Sequence, residues 1–389
     1  MNNNMADTIV IGAGIAGSST AFRLAQKGQK VILLDKGRVG EEASGRNAGG
    51  VRQQMRAPAE LPLAMESIKI WSNMRDELDC DVGYRRGGNL CVARSEEEFR
   101  SYHETMKQEQ AMGLGVEILS PEETRRLTPT IPGELEIFGG KHCPSDGWAN
   151  PLLVVKAICR AARRKGVQIK EHEPVRRLKA ENGRVTGAVT DKGEYYASTF
   201  VVAAGAWSSG LCRTIGLDLP VTVDKAQTFV TEALPPIVKQ FVSMKEILYV
   251  QSTEGNILIG VMNLLPYIIK ETENINNNAI LGEFAELGRW LQKILPFLRN
   301  VNLIRTFGAV DQCTPDEVAI LDKASGLENL YASVGAGHGY CMGPVVGKMI
   351  AEWIVDGRSS MDLTGLRWNR FEGKPGLEEF KAQSGSVIE

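Results

Sequence analysis

The stretch Thr8-Ile9-Val10-Ile11-Gly12-Ala13-Gly14-Ile15-Ala16-Gly17 decides the fold. An apolar strand runs straight into a Gly-x-Gly-x-x-Gly turn, and a helical pattern follows as far as Gly28. Lys30-Val31-Ile32-Leu33-Leu34 then reads as a second strand that closes on Asp35. Strand, glycine turn, helix, strand and acid in that order form a dinucleotide-binding βαβ unit. Gly12 allows the tight turn, Gly14 lets the backbone approach a pyrophosphate, and Gly17 lets the helix pack close to the strand. The helix N-terminus offers unpaired N–H groups and a partial positive charge to phosphates. Asp35 stands where a carboxylate accepts hydrogen bonds from ribose hydroxyls. A glycine turn alone would also suit plain helix-on-sheet packing; the flanking strands and the acid point to the nucleotide.

Beyond this unit comes Glu42-Ala43-Ser44-Gly45-Arg46-Asn47-Ala48-Gly49-Gly50-Val51-Arg52, small and polar enough to lie flat against a ligand. Residues 60–79 and 95–112 read as helices, and Val82 to Ala93 as short strands with a Gly87-Gly88 turn. Ser120-Pro121-Glu122-Glu123 is an N-cap, a proline and first-turn acids, so a short helix starts there. A helix over Leu152 to Lys165 leads into strands at 167–171, 174–179, 184–190 and 194–204. Asn182-Gly183 and Asp191-Lys192-Gly193 supply hairpin turns. Such a meander departs from the regular βα alternation of nicotinamide-binding domains and favours FAD over NAD.

Residues 221–262 are strand-rich, and Asn274 to Asn278 reads as an exposed polar loop. Gly282 to Leu295 is an amphipathic helix with Phe284, Leu287, Leu291 and Ile294 on one face, stopped by Pro296. A strand over Leu330 to Val334 runs into Gly335-Ala336-Gly337-His338-Gly339-Tyr340-Cys341-Met342-Gly343-Pro344 and a helix over Val345 to Val355. A second glycine turn thus feeds a second helix N-terminus. The tail after Phe371 is polar.

The 389 residues leave room for two domains, and a net charge of -2 with no Lys/Arg block argues against nucleic acid as a partner. The seven cysteines are odd in number, scattered and never in a C-x-x-C pair, so neither a disulfide framework nor a metal site is expected. The first residues lack a basic, apolar leader and no apolar run is long enough to span a membrane, which makes the cytoplasm the expected location.

Ala43-Ser44-Gly45-Arg46-Asn47 with Gly49-Gly50, Ala204-Gly205-Ala206-Trp207-Ser208 and Gly337-His338-Gly339-Tyr340, taken together with the nucleotide fingerprint, resemble the FAD-dependent D-amino-acid oxidase superfamily. Within it the resemblance is to the branch of glycine oxidase, sarcosine oxidase β subunits and dye-linked proline or opine dehydrogenase β subunits. It covers nearly the whole chain to about Phe371. It implies a mixed α/β fold: a Rossmann-like FAD-binding domain with a β-meander, and an inserted substrate domain with a mixed, largely antiparallel sheet. The corresponding boundaries are 1–79, 146–217 and 312–389 for the FAD-binding domain, and 80–145 and 218–311 for the substrate domain.

The resemblance also implies site residues. Gly12, Gly14, Ile15, Ala16 and Gly17 would meet the pyrophosphate, and Asp35 with Lys36 the adenosine end, although many family members carry the longer Glu at the acid. Val175 would meet the adenine through its backbone. Ala43, Ser44, Gly45, Arg46, Asn47, Ala48, Gly49 and Gly50 would line the pyrophosphate and flavin, with Ala204, Gly205 and Trp207 nearby. Gly337, His338, Gly339 and Tyr340 would approach the isoalloxazine ring, with Met342 and Gly343 beside it. Independently of the family, a reduced flavin carries negative charge that a helix N-terminus stabilises. FAD is expected to be noncovalent, because no Cys or His matches the family's attachment positions. Cys313 has a different offset.

The substrate end departs from the family's pattern. Its amino-acid oxidases commonly carry an Arg three residues before the Thr of a T-x-D element, whereas counting back from Thr314 lands on Asp311. A carboxylate therefore needs another cation, and Arg52, Arg56 and Lys225 are the candidates, each also compatible with a solvated or phosphate-facing charge. Tyr249 stands on a strand resembling the family's substrate-roofing strand. His338 is a candidate acid/base, although the flavin carries the hard step of amine oxidation. The expected function is FAD-dependent oxidation of the C–N bond of an amino acid to an imine, with a secondary amine of sarcosine, glycine, proline, hydroxyproline or opine type preferred. The alternatives are an FAD-binding subunit that passes electrons to a partner, and an NAD-dependent dehydrogenase. A redox partner subunit or a homo-oligomer is compatible with the resemblance.

Overall fold

The computed structural model describes residues 4–245, 247–261 and 281–372, without the side chains of 222, 224, 225 and 281–285. The chain opens with β1 (Met5–Ile11), α1 (Ile15–Gln26), β2 (Val31–Leu34) and the short β3 (Gly50–Val51). Next come α2 (Leu61–Leu78), β4 (Asn89–Ala93), α3 (Glu96–Ala111), β5 (Glu117–Leu119) and α4 (Pro121–Leu127). β6 (Gly139–Cys143), β7 (Gly147–Trp148) and α5 (Pro151–Arg164) lead to β8 (Gln168–Lys170) and then to the meander β9 (Val175–Glu181), β10 (Arg184–Thr190) and β11 (Gly193–Val202). After α6 (Ser208–Arg213) follow β12 (Thr222–Ala233), β13 (Phe241–Met244), β14 (Ile247–Gln251) and β15 (Asn256–Val261). The described chain ends through α7 (Leu281–Ile294), β16 (Leu303–Cys313), β17 (Ile320–Lys323), β18 (Leu330–Val334) and α8 (Gly339–Asp356).

Two sheets carry the molecule. The first has the order β17-β18-β11-β1-β2-β8, with the β9–β10 hairpin attached to β11. β18, β11, β1, β2 and β8 run parallel, and β2 is buried along its whole length, as expected for a parallel strand covered on both faces. The second sheet has the order β16-β12-β15-β14-β13-β4-β6-β5 and is antiparallel at every pair except β13 with β4. This is the mixed α/β architecture expected from the sequence.

Local chemistry accounts for much of the detail. Ser120 and Glu123 form a reciprocal capping box at the start of α4. Asn182 and Gly183 both adopt positive φ, 50° and 73°, as a two-residue hairpin turn requires. A Cβ on Gly17 would stand 1.9 Å from the Gly12 carbonyl oxygen, and one on Gly347 2.5 Å from Ser19 Cβ. Only glycine at these places lets α1 sit on its turn and α8 sit on α1.

Three differences from the sequence reading stand out. The last long helix starts at Gly339, six residues before Val345, and takes Pro344 inside its second turn. The Cys341 carbonyl, three residues before the proline, accepts from Ser67 Oγ at 2.6 Å and Trp71 Nε1 at 2.8 Å, which ties the first turn of this helix to α2. Within Val82 to Ala93 only residues 89–93 form a strand, and Arg85 makes an isolated bridge to Trp148. Along α7, Leu287, Leu291 and Ile294 are buried as the pattern requires, while the Phe284 side chain, the Lys225 side chain and the Asn274–Asn278 loop lie outside the described residues. No described helix is long and apolar enough to cross a membrane, and the seven cysteines are free thiols.

Candidate active site

One cavity of about 1030 Å3 lies between the carboxyl ends of the parallel strands and one face of the second sheet. The ends of β1, β2, β11 and β18 open into it, the place where open parallel sheets bind ligands. The opposite wall is built from Phe241, Leu248, Gly260 and residues 309–313 of β16. The N-termini of α1 and α8 meet here, since Gly343 on α8 packs so tightly on Ile15 that a Cβ would lie 2.5 Å from Ile15 Cγ2.

At the nucleotide end, Gly12 has φ 106° and a Cβ there would come within 2.3 Å of the Ala203 carbonyl oxygen. Ser44 Oγ accepts the Ile15 N–H at 3.0 Å, so the first-turn N–H groups of Ala16 and Gly17 remain without an intrahelical acceptor. A Cβ on Gly14 would lie 2.9 Å from the same Ser44 oxygen. The Asp35 carboxylate holds this turn together, accepting from Ala13 N–H at 2.5 Å and Gly37 N–H at 2.8 Å. Burial raises its pKa against these two donors. Lys36 lies 3.3 Å from the centroid of the Trp207 ring and 2.8 Å from Glu42. Val175 lines the wall beside them.

The segment 43–50 is folded on itself. Asn47 Nδ2 donates to the Ala43 and Ser44 carbonyls, and its Oδ1 accepts the Gly49 N–H, so its amide shapes the loop while the residue faces the cavity. Ala43, Ser44, Arg46, Ala48 and Gly50 also line the cavity, as do Ala204, Gly205, Trp207, Gly337, His338, Gly339, Tyr340 and Met342. Gly17, Gly45, Gly49 and Gly343 act one layer back. Each is a close-packing position where a Cβ would collide, with Gly12 O, Gly40 O, Ala149 O and Ile15 respectively.

At the other end, Arg52 lines the cavity with its guanidinium carbon 5.6 Å from the Phe241 ring centroid and Nη1 3.4 Å from Ser243 Oγ. Among the described residues no carboxylate pairs with it. Burial and the neighbouring Arg56 push its pKa down. The loop is fixed from behind: buried Glu109 accepts the Met55 N–H at 2.7 Å and pairs with fully buried Lys141 at 2.7 Å. Arg56 is turned back onto its own loop, donating to the Arg52 carbonyl at 3.3 Å. Asp311 lines the cavity, its Oδ1 accepting the Gln312 N–H at 2.9 Å.

Tyr249 is not in the cavity. It is fully buried on the far face of the second sheet, its hydroxyl 2.9 Å from Thr130 Oγ1. Side chains alternate along a strand, so Leu248 faces the cavity and its neighbour cannot.

Two residues missed in the sequence complete the site. Gln312 bridges both glycine segments: its carbonyl accepts the Gly337 N–H at 2.9 Å, and its side chain fills the space where a Cβ on Gly205 or Gly335 would go. Glu60, fully buried, holds His338 at 3.2 Å from Oε2 to Nδ1. Helical phase signals its burial, because Glu60 shares the stripe of Ala64, Ser67 and Trp71 along α2.

Burial and the charge of Arg56 lower the His338 pKa to about 4 against the opposing pull of Glu60, so the imidazole is neutral at physiological pH. Unfolding restores an ordinary histidine that takes up a proton below about 6.5. The unfolded state therefore binds more protons between these values, and stability falls as pH drops through that window. Thermal unfolding from pH 7 to 4 in wild type and His338→Gln is expected to show a steeper decline in wild type; parallel curves would contradict the neutral, half-buried imidazole.

The cavity fits FAD on the evidence of its own residues: two helix N-termini, a glycine cradle that a Cβ would fill, and a volume at the upper end of small-molecule sites. Among known proteins, the chain is 26% identical over 379 residues to 4-methylaminobutanoate oxidase (formaldehyde-forming) of Paenarthrobacter nicotinovorans, covering 94% of this chain and 46% of that protein. The chain thus spans less than half the length of that relative. It is 26% identical to sarcosine oxidase subunit beta of Rhizobium meliloti over 94% of this chain and 88% of that one. The solved L-proline dehydrogenase of P. horikoshii superposes with a TM-score of 0.86 at 25% identity, covering 95% and 98% of the two chains. Residues 7–353 match the DAO family of FAD dependent oxidoreductases, and the chain belongs to that family.

Proposed function

We propose that this chain binds FAD noncovalently in the cavity and oxidises the C–N bond of a carboxylate-bearing amine, a secondary amine of sarcosine, glycine, proline, hydroxyproline or opine type, to the imine. The observation that carries the reading is Arg52: a half-buried guanidinium without a carboxylate partner among the described residues, in the same cavity as the glycine turn before α8. A cation drawn partly out of water is stabilised by an anion or strong acceptors, and a substrate carboxylate supplies both to its planar fork. FAD supplies the two-electron acceptor when bound.

The chain's residues then divide the work. Residues 1–79, 146–217 and 312–389 hold the cofactor, and residues 80–145 and 218–311 roof the substrate. The Ala16 N–H at the mouth of α1 takes the phosphates. First-turn N–H groups of Gly339, Tyr340 and Cys341 stabilise negative charge at the flavin end. Arg52, stacked near Phe241, fixes the substrate carboxylate, and Asp311 provides an acceptor on the facing strand for a positively charged group. Phe241 and Leu248 keep water from the reacting carbon.

A second reading assigns electron transfer to a partner subunit, and the name of the sarcosine oxidase subunit beta favours it. The nicotinamide alternative is set aside by the FAD-dependent family. The purified protein is expected to be yellow and to release all its flavin into the supernatant on acid precipitation. An anaerobic screen of amino acids and N-alkyl amino acids should bleach the bound chromophore with at least one of them. Flavin retained in the pellet would refute noncovalent binding. No bleaching by any amine would refute the catalytic reading, and slow peroxide formation beside fast bleaching would identify the partner-dependent form.

A further inference from the structure

Glu60 and His338 lie 278 positions apart in the chain and meet at the edge of the cavity. Both carboxylate oxygens of Glu60 are committed. Oε1 accepts the Ala319 N–H at 2.9 Å, and Oε2 lies 3.2 Å from His338 Nδ1. A backbone amide only donates and an ionised carboxylate only accepts, so Nδ1 carries the ring proton. His338 lines the cavity, and with Nδ1 used, Nε2 is the nitrogen left for a ligand. In a neutral ring with Nδ1 protonated, Nε2 is a lone pair.

The charged and titratable groups around the ring come from every packed element. Glu60 stands at the start of α2, Arg52 and Arg56 on the preceding loop, Cys341 and Tyr340 on α8, and Asp311 on β16 next to Gly337. Two arginines and burial oppose a second proton on the imidazole. We propose that Glu60 is a positioning residue that fixes the tautomer of His338, so that the cavity receives an acceptor, Nε2, which orients the nitrogen of an amine substrate by accepting its N–H. The substrate role rests on the function proposed above; the tautomer does not.

The geometry gives a sharp contrast on substitution. Glu60→Gln leaves one oxygen for two donors. The Ala319 N–H is fixed by the backbone and takes it, so the new NH2 group faces Nδ1. Nδ1 must then be the lone pair, and the ring proton moves to Nε2. The cavity meets a donor where it had an acceptor, and an amine N–H loses its partner.

Long-range 1H–15N spectra of the flavin-loaded protein read this directly. The chain has four histidines, and His338→Gln assigns the signal. We expect the Nδ1–H tautomer in wild type and the Nε2–H tautomer in Glu60→Gln. Flavin content should be equal, and kcat/KM for the amine identified by the anaerobic screen should fall at least tenfold, mainly through KM. An Nε2–H tautomer in the wild type, a measurement that needs no variant to fold, overturns the assignment, as does an unchanged tautomer in Glu60→Gln. A switched tautomer with unchanged amine kinetics overturns the substrate role. A wild type that oxidises no amine removes the substrate role together with the proposed function, while the tautomer spectra still confirm or refute the task given to Glu60.

Discussion

Gly14→Val is expected to purify colourless and to bind added FAD at least a hundredfold more weakly than wild type. A Cβ at this position already stands 2.9 Å from Ser44 Oγ, inside the closest approach of ordinary contacts. Valine adds two stiff methyl branches at the mouth of α1. Ser44 must give way, and with it goes the hydrogen bond that caps the Ile15 N–H. The loop 43–50, which Asn47 ties into one unit, moves with Ser44, so the variant loses the phosphate cradle and its wall together. Gly115→Ala is the control. No atom lies within 4 Å of a Cβ there, and its flavin content should equal that of wild type. Absorbance of the purified proteins and titration with FAD decide the matter; a yellow Gly14→Val protein would mean that the cofactor lies elsewhere.

The second large effect concerns Arg52. Arg52→Met should lower kcat/KM for a carboxylate-bearing amine by about one to two powers of ten, equivalent to a charge-assisted hydrogen bond of roughly 1.5–3 kcal/mol. Flavin content should stay unchanged. Methionine keeps the length and the contact with Phe241 but offers the carboxylate nothing. It also removes the repulsion between Arg52 and Arg56, so the melting temperature should not fall. An amine without a carboxylate discriminates the roles, because its kinetics should be indifferent to the substitution. If Arg52→Met instead loses flavin while turnover per bound flavin is intact, the guanidinium serves the cofactor, and the substrate anion is held elsewhere.

The sequence by itself determined whatever depends on neighbours along the chain. β1, α1 and β2 follow from a run of apolar residues, a glycine turn and a second apolar run. The hairpin at Asn182-Gly183 follows from two residues that tolerate positive φ, and the start of α4 from Ser120 and Glu123. Motif spacing then placed much of the cavity wall, since Gly12, Gly205 and Gly337 sit just past the ends of strands that a parallel sheet must gather at one edge.

What tertiary structure decided is which face a side chain presents and which distant groups meet. Tyr249 fell on the wrong side because adjacent strand residues point to opposite faces, and nothing local says which face is covered by the cofactor unit. The first turn of α8 is tied to α2 by Ser67 and Trp71, which donate to the Cys341 carbonyl from a distant part of the chain. The Glu60–His338 pair and the Gln312 bridge between the glycine segments join residues far apart in sequence, whose hydrogen bonds exist only once α2, β16 and α8 converge on one cavity. Local propensity fixes the elements; the desolvated polar contacts that give the site its chemistry are set by packing.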